Sequence, residues 1–285
     1  VTVSSYFLPR TVPEALGLLE QHGPDLMVMA GGTVAMPLVN DGLSMPNLVM
    51  GLRHAGLDRI ERVDGTLKIG ATTTLTRLLA ESGVTMLEEA ARNTASPTIR
   101  NMATVGGNLF TPPPGGDVAV ALLALDASVT LASTRGERVL LLADFYTGFL
   151  TNVLEPDELL VAVEVPEGAA DASTAFVKFG RKHANTPAVV TVAVHLSWSD
   201  DRVATARIAL GAAGPHPIRA RRAEQLVVGT ALAPAIVTAA AVAATEESEP
   251  FTDGIATDWY RRRMIGLHVA RALEQLAPGA KSEDH

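Results

Sequence analysis

The chain has 285 residues, 47% of them hydrophobic and 19% charged, with a formal net charge of −8 and no cysteine. That length fits two domains of ordinary size, and that hydrophobic content excludes a disordered chain. The negative charge argues against nucleic acid as a partner, and the missing thiols exclude disulfides, thiol catalysis and cysteine-held iron–sulfur or zinc sites within this chain.

The longest apolar run, residues 233–244, falls short of the ~20 residues a membrane span requires. No positively charged start followed by an apolar core is visible. The expectation is a soluble cytoplasmic protein with no membrane span.

Thr11 opens the first predicted helix, with Glu14 three residues on and Gly23 as its stop. This is a capping box and glycine stop around an apolar stripe at Ala15, Leu16 and Leu19. The apolar segment 26–30 reads as a strand running straight into Gly31-Gly32-Thr33, a first phosphate-loop candidate. Asp64-Gly65 between alternating segments predicts a two-residue hairpin. Helices are expected near 75–82 and 85–94, followed by the stretch "ATVGGNLFTPPPGGD" over 103–117. A helix over "DVAVALLALDA", a strand over "SVTLAS", a turn at Arg135-Gly136 and a strand over 158–166 complete the first half.

The small, polar "EGAADAS" at 167–173 reads as a linker and divides the chain into domains at 1–167 and 174–278. Beyond it come the strands "FVKFGR", "AVVTVAVHLSW" and "VATARIALGAA", the last two joined by a turn at Asp200-Asp201. Helices over 219–229, 232–246 and 258–276 close the chain, which predicts an antiparallel sheet with helices on one face. In the final helix Tyr260, Met264, Leu267 and Ala270 fall at helical spacing and predict a core-facing stripe. Arg261-Arg262-Arg263, Glu88-Glu89 and Glu246-Glu247 read as solvated helix surface, and His183 as an ordinary exposed or internally satisfied histidine.

Two turns with adjacent glycines stand out: Ala30-Gly31-Gly32-Thr33 and Thr104-Val105-Gly106-Gly107-Asn108. A glycine pair lets backbone amides converge on one point with no Cβ in the way. Thr33, Thr104 and Asn108 can add side-chain hydrogen bonds to a phosphate oxygen. Two such turns can clamp a diphosphate from both sides, but glycine pairs are equally ordinary turn residues, and spacing alone leaves both readings open. Neither turn fits G-x-G-x-x-G or the loop ending Gly-Lys-Ser/Thr, which disfavours a Rossmann dehydrogenase and a nucleotide triphosphatase.

The segments "AGGT", "SPTIRNMATVGGNLFTPPPGGD", "LLALDASVTLAS" and "PDELLVAVEVP", continuing through "GPHPIRARRAEQLVVG" and "YRRRMIGLHVARALEQL", carry a resemblance over essentially the whole chain. The sequence resembles the FAD-binding medium subunit of molybdenum hydroxylases. That family includes the flavoprotein subunits of carbon monoxide, nicotine and quinoline-type dehydrogenases and the flavin domain of xanthine dehydrogenase. The resemblance favours flavin diphosphate at the glycine turns. It implies an α+β fold: a vanillyl-alcohol-oxidase (PCMH) type FAD-binding domain of two subdomains, then an α+β C-terminal domain closing over the flavin.

The same resemblance puts Val28, Met29, Ala30, Gly31, Gly32, Thr33, Val34 and Ala35 on one side of the diphosphate of a non-covalent FAD. Thr104, Val105, Gly106, Gly107 and Asn108 fall on the other. Asp117 matches the family aspartate, an acceptor for a ribose or ribityl hydroxyl; Val161 matches an apolar residue lining the isoalloxazine; Lys178 falls near a family lysine at the flavin ring. Many relatives carry His-Ser after the first glycine pair, where Thr33-Val34 stand here. The backbone cradle survives that change, and any histidine-specific role does not. Neither turn offers a His or Cys for covalent flavin attachment, and the cysteine-rich insert of one family branch is absent.

The expected function is the FAD-binding electron-transfer subunit of a heteromeric molybdenum hydroxylase. By resemblance, electrons leave a molybdopterin centre on a large subunit, cross [2Fe–2S] clusters on a small subunit, reach FAD here and pass to an external acceptor. The implied assembly is a two-fold dimer of heterotrimers. No residue of this chain is assigned a catalytic or metal-binding role. The alternatives are a self-contained flavin oxidase or reductase on the same fold, which needs an acid or base in its own pocket, and a non-catalytic flavin-binding module.

Overall fold

The computed structural model describes residues 3–168, 172–182 and 185–278; His183 and the middle of the 167–173 linker lie outside them. The first layer comprises β1 (Ser5–Phe7), α1 (Val12–His22), β2 (Leu26–Met29), α2 (Ala35–Asn40) and β3 (Leu48–Gly51). Its strands run parallel in the order β1-β3-β2, so β2 is an edge strand. Thr11 caps α1, its hydroxyl accepting from the Glu14 amide at 3.3 Å. The Glu14 carboxylate takes the Arg10 amide (2.8 Å), one residue earlier than a strict capping box requires. Ala15, Leu16 and Leu19 bury against Leu26, Met50 and Leu52.

The second layer begins with β4 (Ile60–Val63) and β5 (Thr66–Gly70), joined at Asp64-Gly65. Both turn residues have positive φ, +50° and +73°, as a tight turn matched to strand twist demands. Then follow α3 (Leu75–Glu81), α4 (Thr85–Asn93), α5 (Pro97–Arg100), α6 (Val105–Leu109) and α7 (Asp117–Ala124). The strands β6 (Ser128–Ser133), β7 (Gly136–Leu141), the small hairpin β8 (Tyr146–Gly148) and β9 (Thr151–Asn152), and β10 (Leu159–Pro166) complete it. The five-stranded sheet is antiparallel, in the order β4-β5-β10-β6-β7. Ser133 pairs with Gly136, so the β6–β7 turn is Thr134-Arg135, one residue ahead of the expected position.

The C-terminal unit contains β11 (Ser173–Gly180), β12 (Ala188–Ser199), β13 (Arg202–Gly211) and β14 (Ile218–Arg219), antiparallel in that order. Three helices follow: α8 (Arg221–Val227), α9 (Pro234–Glu246) and α10 (Asp258–Leu276). Alternation along β12 sorts its two faces. Val190, Val192 and Val194 join the core shared with α9 and α10, whereas Ala193 joins the core built around α7. Every residue of α7 is buried, because it lies between the five-stranded sheet's core and the C-terminal sheet. A helix apolar all round requires such two-sided cover.

Three expectations about surface are corrected. Arg261 is 0% exposed rather than solvated. Its guanidinium donates to the Ala188 and Val189 carbonyls (3.1 and 2.7 Å) and to Asp253 (2.8 Å), satisfying backbone acceptors where β12 begins. The buried stripe of α10 runs through Met264, Ile265, His268, Val269, Ala272 and Leu273, leaving Leu267 39% exposed. Arg261 lies on this same buried face. Glu88 and Glu89 are half-buried, and burial pushes the Glu89 carboxyl above its ordinary range.

Candidate functional site

The first glycine turn leaves the edge strand β2 and enters α2, whose Met36 amide closes the first helical bond on the Gly32 carbonyl (2.9 Å). Gly32 takes φ +70°, a value glycine adopts without cost. Among the described residues, no acceptor takes the amide hydrogens of Ala30, Gly31, Gly32, Thr33, Val34 or Ala35. These residues are all half-buried. Half-buried amides in a row, with no carbonyl against them, are open donors of the kind that suits an anion.

The second turn is built differently. Thr104 is the N-cap of α6, its hydroxyl accepting from the Gly107 amide at 3.1 Å. The Val105 amide donates to Thr73 O (2.9 Å), Gly106 to Ala71 O (2.8 Å) and Asn108 to Thr104 O (3.0 Å). All four amides from 105 to 108 therefore have partners inside the protein. A Cβ on Gly106 would stand 2.8 Å from Ala71 O and 2.9 Å from Ala71 Cβ. This glycine is there for close packing.

The two turns meet. A Cβ on Gly31 would run into the Met102 carbonyl and stand 3.2 Å from Ala103 Cα, so the first turn lies directly on the residues leading into the second. Val161 sits at a bulge in β10, and its carbonyl accepts from the Ala71 amide (2.9 Å) beside Gly106. Bulges of this kind re-aim side chains next to binding sites. Sequence reasoning missed Thr72 and Thr73, whose buried hydroxyl oxygens have no partner among the described residues. The triple-threonine run 72–74 after a strand was the available signal.

The remaining two residues form a separate arrangement. Asp117 and Lys178 pair at 2.7 Å, with side chains only 5% and 8% exposed. The other Asp117 oxygen accepts from the Thr191 hydroxyl (2.8 Å), and Lys178 also donates to the Asn93 carbonyl (3.0 Å). Asn108 Oδ1 accepts from the Ala119 amide in the first turn of α7 (3.1 Å), which ties this pair to the second glycine turn. Near the exit of α6, the Tyr146 hydroxyl donates to Leu109 O (3.1 Å), and burial drives that phenol well above its ordinary range.

These residues fit the diphosphate of a flavin dinucleotide. Six open amides match anionic oxygens, the missing Cβ of Gly31 lets the two turns approach, and two orphaned threonine hydroxyls stand beside the second turn. Among the described residues no group of three or more His, Asp or Glu is arranged to hold a metal ion.

Residues 2–168 match the family model described as the FAD binding domain in molybdopterin dehydrogenase, and residues 174–276 the CO dehydrogenase flavoprotein C-terminal domain. The chain is 32% identical to the 6-hydroxypseudooxynicotine dehydrogenase complex subunit alpha of Paenarthrobacter nicotinovorans, over 98% of each chain. It is 31% identical to the carbon monoxide dehydrogenase medium chain of Afipia carboxidovorans, over 97% of this chain and 98% of that one. Its fold matches a chain of the Hydrogenophaga pseudoflava carbon monoxide dehydrogenase with a TM-score of 0.93 at 32% identity, covering 96% and 97% of the two chains. A chain of quinoline 2-oxidoreductase from Pseudomonas putida 86 matches with a TM-score of 0.90 at 30% identity, covering 98% of each. With an edge strand opening into a free-amide turn, a capped glycine helix against it, and both domains matched end to end, the chain belongs to the FAD-binding medium subunits of the molybdenum hydroxylases, the flavoprotein component of oxidoreductase complexes.

Proposed function

We propose that this chain binds FAD non-covalently and acts as the electron-transfer subunit of a cytoplasmic molybdenum hydroxylase. In this reading it takes electrons from [2Fe–2S] clusters on a small partner subunit and passes them to an external acceptor. The observation that carries the reading is the row of six half-buried amides from Ala30 to Ala35 with no acceptor among the described residues. Bound FAD supplies the redox chemistry, and the polypeptide supplies binding and orientation.

The amides of 30–35 donate to the diphosphate, with Val28 and Met29 forming the strand end that aims them. Thr104 to Asn108 form the opposite wall, and the Thr72 and Thr73 hydroxyls are the free hydrogen-bonding groups on that side. Val161 contributes apolar wall, while Asp117 and Lys178 stand at the edge where the C-terminal domain closes. Thr33 offers a hydroxyl where a histidine is common, and it needs no covalent bond to flavin. The sequence has no cysteine to hold iron–sulfur clusters, so the clusters belong to a partner and the molybdopterin to a large subunit. Electron transfer between chains needs a fixed interface, of the ~1,200 Å² or more that stable assemblies bury. The assembly proposed is two heterotrimers related by a two-fold axis.

Purification of the native complex tests this reading. Small and large partner subunits should accompany the chain with molybdenum and iron, and acid precipitation should release all the flavin as FAD. Flavin held on the pellet, or a lone chain whose flavin is reduced by an organic substrate, overturns it.

A further inference from the structure

The geometry points to Lys178 as a positioning residue that closes the chain excursion carrying the second glycine turn, a role distinct from any contact it makes with flavin. Its ammonium donates to the Asn93 carbonyl at 3.0 Å and to Asp117 at 2.7 Å. Asn93 is the last residue of α4 and Asp117 the first of α7. One buried cation from the C-terminal sheet thus joins the two ends of the segment 93–117. Everything between them belongs to the second wall: Met102 and Ala103 against Gly31, the capped helix α6, and the run Thr111 to Gly116.

Inside that segment, local bonds fix each half. Arg100 Nη1 donates to the carbonyls of Arg92, Thr94 and Ala95 (3.0–3.1 Å), setting the entry. Asn108 accepts from the Ala119 amide, setting the exit. Neither bond spans the excursion from end to end, and the Lys178 ammonium does. An ammonium with three donors suits the task, since it can serve a carbonyl and a carboxylate at once. Thr191 orients the carboxylate from the neighbouring strand β12 (2.8 Å), so both parts of the clasp come from the C-terminal sheet. Closure of a loop of this length by a buried ion pair restricts the open conformers, and loss of one partner leaves an uncompensated buried charge. Docking of the C-terminal domain therefore adds a tie across the ends of a wall whose middle Ala71 and Thr73 already hold from within the first domain.

Only the consequence for FAD rests on the function proposed above. The clasp itself is read by amide hydrogen exchange on the full chain, with and without added FAD. In Lys178→Met, amides over 97–111 should exchange on the order of tenfold faster or more even without FAD, while β6 and β12 keep wild-type protection. Lys178→Arg should restore much of the protection. Wild-type exchange over 97–111 in Lys178→Met without FAD, or equal loss across β6, β12 and 97–111, overturns the proposal. If Lys178→Met is not recovered folded, Asp117→Asn serves. It should open 105–111 and leave the Asn93 end protected, and a uniform acceleration counts against the clasp. A chain that binds no FAD in any variant would refute the function and leave the exchange result standing.

Discussion

The two glycine turns look alike in sequence and behave as opposites in structure. The first spends no amide on the protein: six successive N–H groups from Ala30 to Ala35 have no internal acceptor among the described residues. The second spends all four from Val105 to Asn108 on Thr73, Ala71 and Thr104. One turn leaves its donors open, and the other is a folded wall that the first leans on through Gly31 and Met102. Adjacent glycines thus serve two ends, exposure of donors and close approach of backbone, and only the hydrogen-bond partners tell them apart.

The strongest way to break this contrast is Gly106→Val. Its branched side chain must enter space held by Ala71, so the chain without FAD should lose about 3 kcal/mol in denaturant unfolding. An unchanged midpoint would show that the second turn is not a packed wall. Gly32→Val should fail in the other sense. The φ of +70° costs an L residue about 1–2 kcal/mol, and the redirected amides should weaken FAD binding by about tenfold or more in a titration followed by flavin fluorescence. A variant that binds FAD as tightly as wild type would remove the first turn from the site.

The threonines sharpen the same contrast at smaller scale. Thr104→Ala removes a helix cap and should cost about 1 kcal/mol of stability, recovered by Thr104→Ser. Thr33→Ala removes a half-buried hydroxyl with no partner among the described residues and should leave thermal unfolding within about 0.5 kcal/mol of wild type. Equal effects at the two positions would erase the distinction between wall and ligand surface.

The smallest effect concerns pH. Burial, with Arg207 beside it, holds His195 below its ordinary range, and burial with Arg271 does the same to His268. Each takes up a proton less readily in the fold than in the unfolded chain, where histidine titrates near pH ~6.5. Their contribution to stability is complete above that pH and declines as pH falls through it. Wild type and Gly32→Val should show the same decline between about pH 7 and 5, because neither glycine turn holds a titratable group. The double variant His195→Gln/His268→Gln should flatten it. An undiminished slope in that variant would assign the decline to other groups.

Local chemistry was legible from sequence. Thr11 and Gly23 bound a helix, Asp64-Gly65 turns a hairpin, and the long strands of the C-terminal sheet lie within a few residues of the expected segments. What escaped was set by partners far along the chain. Arg261 looks like surface until the carbonyls of Ala188 and Val189 are brought to it. Lys178 reaches Asn93 across 85 positions, and no spacing rule announces that bond. Both glycine turns are visible in the sequence, but whether their amides are open or taken depends on Ala71 and Thr73, which the fold delivers to one turn and not to the other.

Helix α7 has a consequence for biosynthesis. Its apolar residues face both the five-stranded sheet and the strands β12 and β13, and a Cβ on Gly211 would stand 2.6 Å from Val120. A ribosome completes α7 at Ala124 long before it reaches Gly211. At ordinary elongation rates the interval is on the order of ten seconds. Until then, the side of the helix that β12 and β13 cover in the fold has no partner from this chain. A nascent chain stalled before β12 should be cleaved within α7 by an added protease, and one stalled well after β13 should resist. Separate expression of the two halves should therefore leave each with an uncovered apolar face.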